Sequence, residues 1–520
     1  MIKHSYILVF VFVSFLCFSQ SKVKNTIDDA EEHFNHKNYL MAMPIYLAEF
    51  KKDPDIKKIR YKIGVCFLNT KVNRQEAIKY LEQYVKKDSK AEEEAWIDLG
   101  RAYMLNNKIN EAITSFQKFI ELKPKRENEV ARLIEQCKNA QKLISNPVNV
   151  TFQNLGKEIN GEDPDYYPFV DAKETFLSFT SRRKDNIGGK KLEIDGYRSS
   201  DVYYSKVENG KWTKTTNAGR FINGALDEQV VGLKSDGLEM YVYLDHIEKF
   251  GDLYITQRKD LGTEFPKPKI CDPLINEKVE TSGCLSEDGN IMIFARRDKV
   301  DTKSDLFMCR KLPNGKWSLA QKLPESVNTS YNEDFPYLSN DGTTLYFSSE
   351  GHNSMGGYDL FKTTWNMEAN TYSKPENLGY PINSTDDDRS ICVTPDNRVA
   401  YISAFRPNGF GDLDIYRIRL DENEQISKII TGKVFLGDSL SEIKNKIASV
   451  KMTIFNKANN EEYIFVPNSK TGKFVISLPA GTYIVSINAV GYQLYKDELI
   501  ISDIGKIDLE KNKNFVLKKK

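Results

Sequence analysis

The fold is decided by the stretch from Asn328 to Phe361, which has the sequence NTSYNEDFPYLSNDGTTLYFSSEGHNSMGGYDLF. A short apolar segment after Glu333 is followed by the pair Asp341-Gly342 and then by a second apolar segment. An Asp-Gly pair favours a tight hairpin because both residues tolerate a positive φ. A glycine-rich loop then leads to a third segment, which opens at Asp359. Three strands cannot bury their own faces, so this stretch predicts neighbouring copies of itself.

Copies of this pattern recur between Val148 and Leu420, at a period of roughly 50–55 residues. Each copy has an acidic residue ahead of its hairpin, and these residues are Asp165, Glu228, Glu280, Glu333 and Asp388. An Ile-Asn or Val-Asn pair lies upstream of each acid, with its asparagine at Asn160, Asn223, Asn276, Asn328 or Asn383. The third segment opens with an aspartate, at Asp201, Asp252, Asp305, Asp359 or Asp414. Short strands repeated at this period are typical of β-propeller blades.

These repeats resemble the PD40, or WD40-like, propeller family, and the resemblance covers residues 148–425. It implies an all-β propeller of five blades, or of six if one copy has escaped notice. The Asp-Gly turn recurs at Asp236-Gly237 and Asp288-Gly289, whereas the first copy has Lys173-Glu174 and therefore a degenerate turn. The segment from Asn149 to Gly156 is expected to close the ring by pairing with the last blade.

In residues 22–146, which precede the repeats, the apolar residues recur at a helical spacing, and this predicts an α-solenoid. Their clearest motif is the tetratricopeptide pattern, matched by Trp96, Leu99, Gly100, Tyr103, Ala112 and Phe116. Small residues let two helices touch, and aromatic residues fill the space between them. We expect three repeats and a capping helix over residues 127–143. Two interpretations stay open, because such a solenoid can be a packing spacer or can present a groove that docks proteins.

The last segment, residues 429–520, alternates apolar and polar residues and predicts a β domain. It resembles the carboxypeptidase regulatory-like family, which has a transthyretin-like β-sandwich fold. The matching motifs are Gly432-Lys433-Val434, Thr471-Gly472-Lys473-Phe474, Leu478-Pro479-Ala480-Gly481-Thr482-Tyr483 and Ala489-Val490-Gly491-Tyr492. The resemblance implies an accessory module and no peptidase activity.

The beginning of the chain, residues 1–20, is typical of a secretory signal peptide. Lys3 and His4 precede an apolar run from Tyr6 to Phe18, which is too short to span a bilayer comfortably. Cys17 raises the alternative of a lipoprotein, but Leu16 is larger than the residue that lipidation sites prefer at that position. The sequence therefore predicts an exported protein with no membrane span.

Composition and motifs argue against nucleic-acid binding and against enzyme chemistry. Lys and Arg total 74 against 73 Asp and Glu, a balance that disfavours a nucleic-acid partner. The cysteines and histidines lack metal-ligand spacing, and no Walker loop, GxSxG motif or dinucleotide fingerprint occurs. Gly437-Asp438-Ser439-Leu440 spells the GDSL motif of a lipase family, but no histidine follows His352 to act as its base, so we interpret the match as a coincidence. We therefore expect no catalytic residue, no cofactor and no metal.

The acid of each blade is the most promising chemical feature of the sequence. In a closed ring, equivalent positions converge toward the axis, so Asp165, Glu228, Glu280, Glu333 and Asp388 are candidate axial carboxylates. Crowded carboxylates would raise their pKa values, or would recruit a cation or a basic partner. The alternative is structural, with each carboxylate accepting hydrogen bonds from backbone amides or from a neighbouring Ser or Arg. The aspartates of the third strands are expected to hold the glycine-rich loops in place.

The order of these segments resembles the PorE-type envelope proteins of Bacteroidota. That resemblance implies a periplasmic scaffold near the outer membrane, working with type IX secretion or gliding components such as PorP/SprF-like outer-membrane barrels. The family's C-terminal OmpA-like domain has no counterpart before Lys520, so peptidoglycan binding is not expected. The alternative function is a small-ligand or glycan sensor that uses the axial pocket of the propeller.

Overall fold

The computed structural model describes residues 26–87, 92–189, 192–193, 195–246, 251–366, 369, 371–406, 409–420, 428–437, 450–457, 462–478, 481–501 and 513–520. The predicted signal peptide, residues 1–20, lies outside this part of the chain, and so does Cys17. The chain forms two compact units, residues 1–420 and 421–520. Among the described residues, no helix combines the length and the apolar character needed to cross a membrane.

The first unit opens with a helical region made of consecutive helix pairs and a final helix. The helices are α1 (Ile27–Asn35), α2 (Tyr39–Lys52), α3 (Lys57–Leu68), α4 (Glu76–Lys87), α5 (Glu94–Leu105), α6 (Ile109–Leu122) and α7 (Asn128–Ser145). A capping box starts α1, because Thr26 and Asp29 satisfy each other's backbone N–H groups. Gly100 lets α5 approach α6 closely, since a Cβ there would lie 2.4 Å from Cε1 of Phe116. Three helix pairs and a final helix thus lie in the described residues where the sequence predicts three repeats and a capping helix over residues 127–143.

A β-repeat region, Val150–Leu420, follows the helices. It begins with β1 (Val150–Asn154), and its other strands build sheets in chain order. Sheet 1 contains β2 (Asp165–Val170), β3 (Phe176–Ser181), β4 (Asp201–Glu208), β5 (Lys211–Trp212) and β6 (Thr216–Asn217). Sheet 2 contains β7 (Glu228–Leu233), β8 (Glu239–Leu244), β9 (Asp252–Gln257) and β10 (Lys269–Ile270). Sheet 3 contains β11 (Val279–Leu285), β12 (Ile291–Arg297), β13 (Ser304–Arg310) and β14 (Gln321–Lys322).

Two more sheets complete the described part of this region. Sheet 4 contains β15 (Glu333–Leu338), β16 (Thr344–Ser349), β17 (Asp359–Asn366), β18 (Thr371–Tyr372) and β19 (Glu376–Asn377). Sheet 5 contains β20 (Ile391–Val393), β21 (Val399–Ala404) and β22 (Asp414–Leu420), and its outer strand is β1. The pairing of β1 with β22 is antiparallel and runs from Val150 opposite Leu420 to Asn154 opposite Tyr416. The expected pairing of the first β segment with the last sheet is therefore confirmed.

Apolar clusters fill the space between consecutive sheets. Each cluster draws buried side chains from two or more sheets, because the strands carry apolar residues on both faces. The last sheet also packs against the first, so the contacts run round in a cycle. Examples of side chains that share a cluster are Val231 with Phe294, Leu306 with Phe347, Tyr346 with Ile402, and Phe179 with both Val242 and Cys392.

The second unit is a β domain of two sheets. Its strands are β23 (Lys428–Leu436), β24 (Lys451–Asn456), β25 (Glu462–Phe465), β26 (Lys473–Leu478), β27 (Gly481–Asn488), β28 (Tyr495–Ile501) and β29 (Phe515–Leu517). One sheet has the strand order β26-β23-β29 and the other has the order β25-β24-β27-β28. A single apolar core joins them, with Val434 and Phe515 contributed by the first sheet and Ile454 and Val485 by the second.

Candidate functional site

The recurring asparagines bond each repeat to the third strand of the preceding sheet, and Asn160 of the first repeat bonds to the third strand of sheet 5. In every case Oδ1 accepts a hydrogen bond from one backbone N–H, and Nδ2 donates to the carbonyl of the same residue, over distances of 2.7–3.0 Å. The partner always follows the aspartate that opens the third strand. The pairs are Asn160 with Ile415, Asn223 with Val202, Asn276 with Leu253, Asn328 with Leu306 and Asn383 with Leu360.

The candidate axial carboxylates are buried, and each is bonded within its own repeat. Four of them accept a hydrogen bond from the backbone N–H four residues upstream, at 2.6–2.8 Å: Asp165 from Gly161, Glu228 from Gly224, Glu333 from Thr329 and Asp388 from Ser384. Glu280 instead accepts from Nε of Arg296 at 2.6 Å and from the N–H of Lys278. Among the described residues, no group of three or more His, Cys, Asp or Glu side chains is placed to hold a metal ion.

Burial changes the acidity of these carboxylates. It raises the pKa of Asp165 to about 6, that of Asp388 to about 7 and that of Glu228 to about 8. It also raises the pKa values of Glu280 and Glu333. The cause is desolvation, which disfavours the charged form and outweighs the hydrogen bonds from backbone amides. The hydrogen bonds explain why these acids occupy their buried positions in the fold. A role of the five carboxylates as a ligand site stays a prediction.

Glu228→Gln is expected to flatten the dependence of stability on pH. Because the pKa of Glu228 rises from 4.5 to about 8 on folding, the folded protein binds this proton more tightly than the unfolded chain. The stability it contributes is full below pH 4.5 and is lost as the pH rises to about 8. In wild type that loss is on the order of 4–5 kcal/mol, and the glutamine variant lacks it. Urea denaturation across this pH range measures the difference.

The matched control is Glu325→Gln, because Glu325 is exposed and belongs to the same region. It is expected to keep the wild-type slope of stability against pH. An unchanged slope in the Glu228 variant would mean that this carboxyl group remains charged in the folded protein.

The aspartates that open the third strands hold the preceding loops in three of the repeats. Asp201 accepts from the N–H of Ile187, Asp359 from that of Met355 and Asp414 from that of Phe410, at 2.7–2.9 Å. Asp305 pairs instead with the ammonium groups of Lys303 and Lys322, and Asp252 lies 3.9 Å from Nε2 of His246. The loop-holding role is therefore present in three repeats, and Asp305 forms ion pairs with lysines instead, whereas residues 247–250 ahead of Asp252 lie outside the described part of the chain.

The candidate residues of the helical motif lie in the packing between helices. Leu99, Gly100, Ala112 and Phe116 are buried. Trp96 and Tyr103 are half-buried, and the hydroxyl of Tyr103 donates to Oε1 of Glu82 on α4. These residues therefore set the spacing of the helices, whereas the surface that the helices expose is built from other side chains.

Helix α7 is fastened to the glycine-rich loop of sheet 4, Glu350–Gly357. Arg132 donates to the carbonyls of Glu350 and Gly351 and to Oγ of Ser354. Gln136 donates to Ser354 and Gly356 one turn later, and Asn139 donates to the carbonyl of Ser354. Met355 at the tip of this loop is fully buried and belongs to the apolar core of α5, α6 and α7. The helices and the β-repeat region therefore share a core.

A second contact lies at the turn between α3 and α4. Nη1 of Arg74 is 2.7 Å from both carboxylate oxygens of Asp386, and Nζ of Lys71 is 2.8 Å from Oδ1 of Asp412. Both cations also lie over the ring of Phe405, at 5.2 and 5.8 Å from its centroid. Asp386 and its neighbours Asp387 and Asp388 form an acidic run, yet each has a different partner, because Asp387 pairs with Arg389 and Asp388 bonds to Ser384.

Between these two contacts lies a cavity of about 690 Å³, which we call the cleft. Its helical wall carries cations and its β wall carries carboxylates. The charged side chains are Lys37, Lys71, Arg74, Arg101 and Arg132 on one wall, and Asp195, Glu350, Asp386, Asp387 and Asp412 on the other. A volume of this size at a junction of two regions is typical of a ligand or peptide site. Thr70 also lines the cleft, and its buried hydroxyl has no hydrogen-bond partner among the residues that the structure describes.

The cleft adjoins a smaller cavity of about 330 Å³, the inner pocket. The two share Asp195, Tyr197, Asp387 and Asp412. The inner pocket is lined by residues of sheets 1, 2 and 5, and its walls include Tyr166, Tyr167, Gln229, Arg389 and Ser403. The side chain of Arg389 is 40% exposed although it pairs with Asp387 at 3.0 Å, so part of its hydrogen-bonding capacity faces the pocket. Paired charges and tyrosines suit the recognition of a polar ligand.

The sequence did not indicate the cleft. Its contacts join residues more than 200 positions apart, such as Gln136 with Gly356 and Arg74 with Asp386. Single side chains that meet at such separations leave no periodic pattern. The only local signal was the run Asp386-Asp387-Asp388, whose charge density is unusual for a tight loop.

The tetratricopeptide repeat family matches two consecutive segments, residues 59–91 and 93–126. These segments cover α3 to α6. No curated protein matches the sequence.

Solved structures resemble about half of the chain at low identity. A TolB from Acinetobacter baumannii is 14% identical and covers 56% of this chain and 72% of its own, with a TM-score of 0.31. A glycosyl hydrolase from Bacteroides ovatus is 12% identical and covers 49% of this chain and 84% of its own, with a TM-score of 0.34. An α-L-arabinofuranosidase from Podospora anserina, in complex with cellotriose, is 12% identical and covers 51% of this chain and 92% of its own, with a TM-score of 0.31. Scores this low support no inference about function.

The family match and the helix pairs agree on the helical region. It contains tetratricopeptide repeats, and a large all-β region follows it. Repeats of this kind stack into extended surfaces that other proteins bind. The helical region therefore indicates protein partners.

Proposed function

We propose that the protein is a non-enzymatic scaffold that binds other proteins of the cell envelope through the cleft. The observation that carries this proposal is the fastening of the helical repeats to the β-repeat region by Met355, Arg132 and Arg74. A binding surface that is fixed in advance loses little conformational entropy when a partner docks. The cleft combines a wall of cations with a wall of carboxylates, which suits the polar backbone and mixed charges of a polypeptide segment.

The architecture that we propose is a solenoid, a five-bladed propeller and a transthyretin-like sandwich. The cyclic packing of sheets 1 to 5 and the pairing of β1 with β22 support a closed ring of five blades. The two sheets that share one core in residues 421–520 support the sandwich. The domain limits remain those expected from the sequence, 22–146, 148–425 and 429–520.

We also propose a location in the periplasm, at the periphery of the outer membrane. The support is the signal-peptide pattern over residues 1–20 and the resemblance to PorE-type proteins. On that resemblance, the partners are type IX secretion or gliding components, with PorP/SprF-like barrels as the first candidates. Lipidation at Cys17 and binding to peptidoglycan do not form part of the proposal.

A photo-crosslinking amino acid at Arg101 tests the scaffold function. Arg101 lines the cleft, and its side chain is 41% exposed. The matched control is the same substitution at Lys118 on α6, which carries the same charge, is 44% exposed and does not line the cleft. Illumination of whole cells is expected to give discrete protein adducts from position 101, at about ten times the yield from position 118. Equal yields, or no protein adduct from position 101, would contradict the proposal.

The second candidate function is a small-ligand or glycan sensor, and the inner pocket favours it. Tyr166, Tyr167 and Gln229 offer aromatic faces and hydrogen-bonding groups, as does the partly exposed Arg389. This combination suits a polar ring such as a sugar. A glycan array probed with the purified protein tests it, with Arg389→Met as the variant that should lose any signal. A glycan signal that persists in this variant would place the ligand elsewhere.

A further inference from the structure

The outer edge of sheet 3 carries a hairpin, Lys311–Leu319, which differs in character from its surroundings. The antiparallel bridge between Lys311 and Trp317 closes it, together with hydrogen bonds from Gly315 to Leu312 and from Leu312 to Lys316, both 2.8 Å long. Gly315 has φ +79°, which lets the chain turn back tightly. The ring of Trp317 packs against the apolar cluster between sheets 2 and 3, so the hairpin has a firm base.

This hairpin exposes apolar side chains on both of its arms. Leu312 and Pro313, next to the turn, are exposed, Leu312 to 42%. Leu319, which is 75% exposed, lies at the base of the returning arm, two residues beyond Trp317. A monomeric protein tolerates single exposed leucines. Here the exposed apolar residues belong to one short hairpin, and that placement requires an explanation.

Basic residues flank these apolar residues along the chain. The stretch from Arg310 to Pro324 has the sequence RKLPNGKWSLAQKLP, which contains basic residues and no acidic residue. Arg310 lies over the ring of Trp365, and Lys322 pairs with Asp305 at 2.7 Å. Lys311 and Lys316 are exposed on the hairpin itself. The hairpin therefore presents leucines flanked by ammonium groups.

Sheet 1 carries the corresponding hairpin without these features. It has the same Asn-Gly-Lys-Trp sequence, at Asn209 to Trp212, and a comparable pairing of Val207 with Trp212. There Glu208 lies opposite Lys211, and Lys214 occupies the position that Leu319 occupies after Trp317. The shared sequence thus explains the turn, whereas the leucines and the lack of acid are particular to sheet 3.

We propose that the Lys311–Leu319 hairpin binds an anionic phospholipid surface. Leucine and tryptophan beside lysine are the combination that inserts at a membrane interface, where the lysines meet anionic head groups. A protein partner is less favoured, because a stable protein interface needs about 800 Å² on each side, and a single hairpin cannot supply that area. This inference rests on the proposed location near the outer membrane.

Sedimentation with lipid vesicles tests the proposal on the protein produced from the whole sequence. The probes are vesicles of phosphatidylcholine alone and vesicles that also contain phosphatidylglycerol. Wild type is expected to bind the anionic vesicles about tenfold more strongly than the neutral ones. Two double variants, Leu312→Ser with Leu319→Ser and Lys311→Gln with Lys316→Gln, are each expected to lower binding to the anionic vesicles about tenfold.

The control removes two charges from the sheet 1 hairpin, with Lys211→Gln and Lys214→Gln, and is expected to bind as wild type does. Equal losses from both lysine pairs would attribute binding to net charge and overturn the proposal. Unchanged binding by the leucine variant, or no binding by wild type, would also overturn it. Cross-linking at Arg101 does not involve this hairpin, so it tests the scaffold function separately.

Discussion

Met355→Asp is expected to release the helical region from the β-repeat region. Met355 is fully buried in the core of α5, α6 and α7, although it belongs to the glycine-rich loop of sheet 4. An aspartate there would place a carboxylate among apolar side chains, at a cost of several kcal/mol. The folded protein avoids that cost by withdrawing the loop from the helices. Hydrogen exchange should then increase in α7, and proteolysis should increase at Asn146 to Val148.

The control for this variant is Met355→Leu, which keeps the apolar volume and is expected to cost about 1 kcal/mol or less. Met355→Ala should fall between the two, with a loss of about 2–5 kcal/mol from the cavity it leaves. If Met355→Asp leaves the exchange of α7 at the wild-type rate, then the hydrogen bonds of Arg132 and Gln136 are sufficient to hold the regions together. The shared core would then be a minor part of the attachment.

Loss of this attachment also bears on the cleft. The cleft exists because α7 and the turn between α3 and α4 both contact the β wall. Release at α7 removes one of these supports and leaves Arg74–Asp386 and Lys71–Asp412 as the other. A scaffold that relies on the cleft should lose its cross-linked partner in Met355→Asp and keep it in Met355→Leu.

The repeated turns and helix pairs were predictable from the sequence. Each copy meets the same packing requirement, so the same residue types recur at a regular spacing. The Asp-Gly turns are an example, since Gly237, Gly289 and Gly342 all have φ between 70° and 74°. The helix pairs are another, because the small residue Gly100 faces Phe116 as the tetratricopeptide pattern requires. Both signals arise from close packing that only certain residues permit.

The turn of the first repeat departs from the Asp-Gly pattern, and the sequence pattern does not reveal the reason. Glu174 takes the position of the glycine and adopts φ +53°, so the turn is kept at the cost of some strain. Its carboxylate accepts hydrogen bonds from Tyr401 at 2.6 Å and from Nε of Arg417 at 2.5 Å, both in sheet 5. The departure from Asp-Gly thus supplies an ion pair between sheet 1 and sheet 5. A comparison of local motifs can detect such a departure but cannot identify the distant partner that explains it.

The same limit applies to the carboxylates and the asparagines. The acids were evident as a column of equivalent residues, but whether they faced one another or their own loops depended on side-chain geometry. The asparagines were evident too, and their role was missed, because it requires both groups of an amide to meet one backbone residue in another sheet. Buried backbone N–H and C=O groups need partners, and that rule supplies the reason once the sheets are known.

Asn160→Ala is expected to open the junction between the two ends of the β-repeat region. The side chain of Asn160 joins the N–H and the carbonyl of Ile415 and also donates to Asn154 in β1. Its removal leaves buried backbone groups without partners, at a cost of about 1–3 kcal/mol each. We expect a loss of about 2–4 kcal/mol in the free energy of unfolding, together with faster hydrogen exchange in β1 and β22. Chemical denaturation and exchange measure these two effects.

The matched control is Asn223→Ala, which removes the same pair of hydrogen bonds from Val202. The two variants differ in the length of chain between the joined residues, which is 255 positions for Asn160 and 21 for Asn223. Bringing the ends of the 255-residue segment together costs about 2 kcal/mol more conformational entropy than closing the 21-residue segment. Separation of β1 from β22 therefore regains more conformational entropy than separation of the residues that Asn223 joins. Asn160→Ala should therefore speed hydrogen exchange in β1. Asn223→Ala, which loses a similar number of hydrogen bonds, should leave the exchange of β1 at the wild-type rate. Equal protection of β1 in both variants would mean that the strand pairing of β1 with β22 holds the ends together without the asparagine.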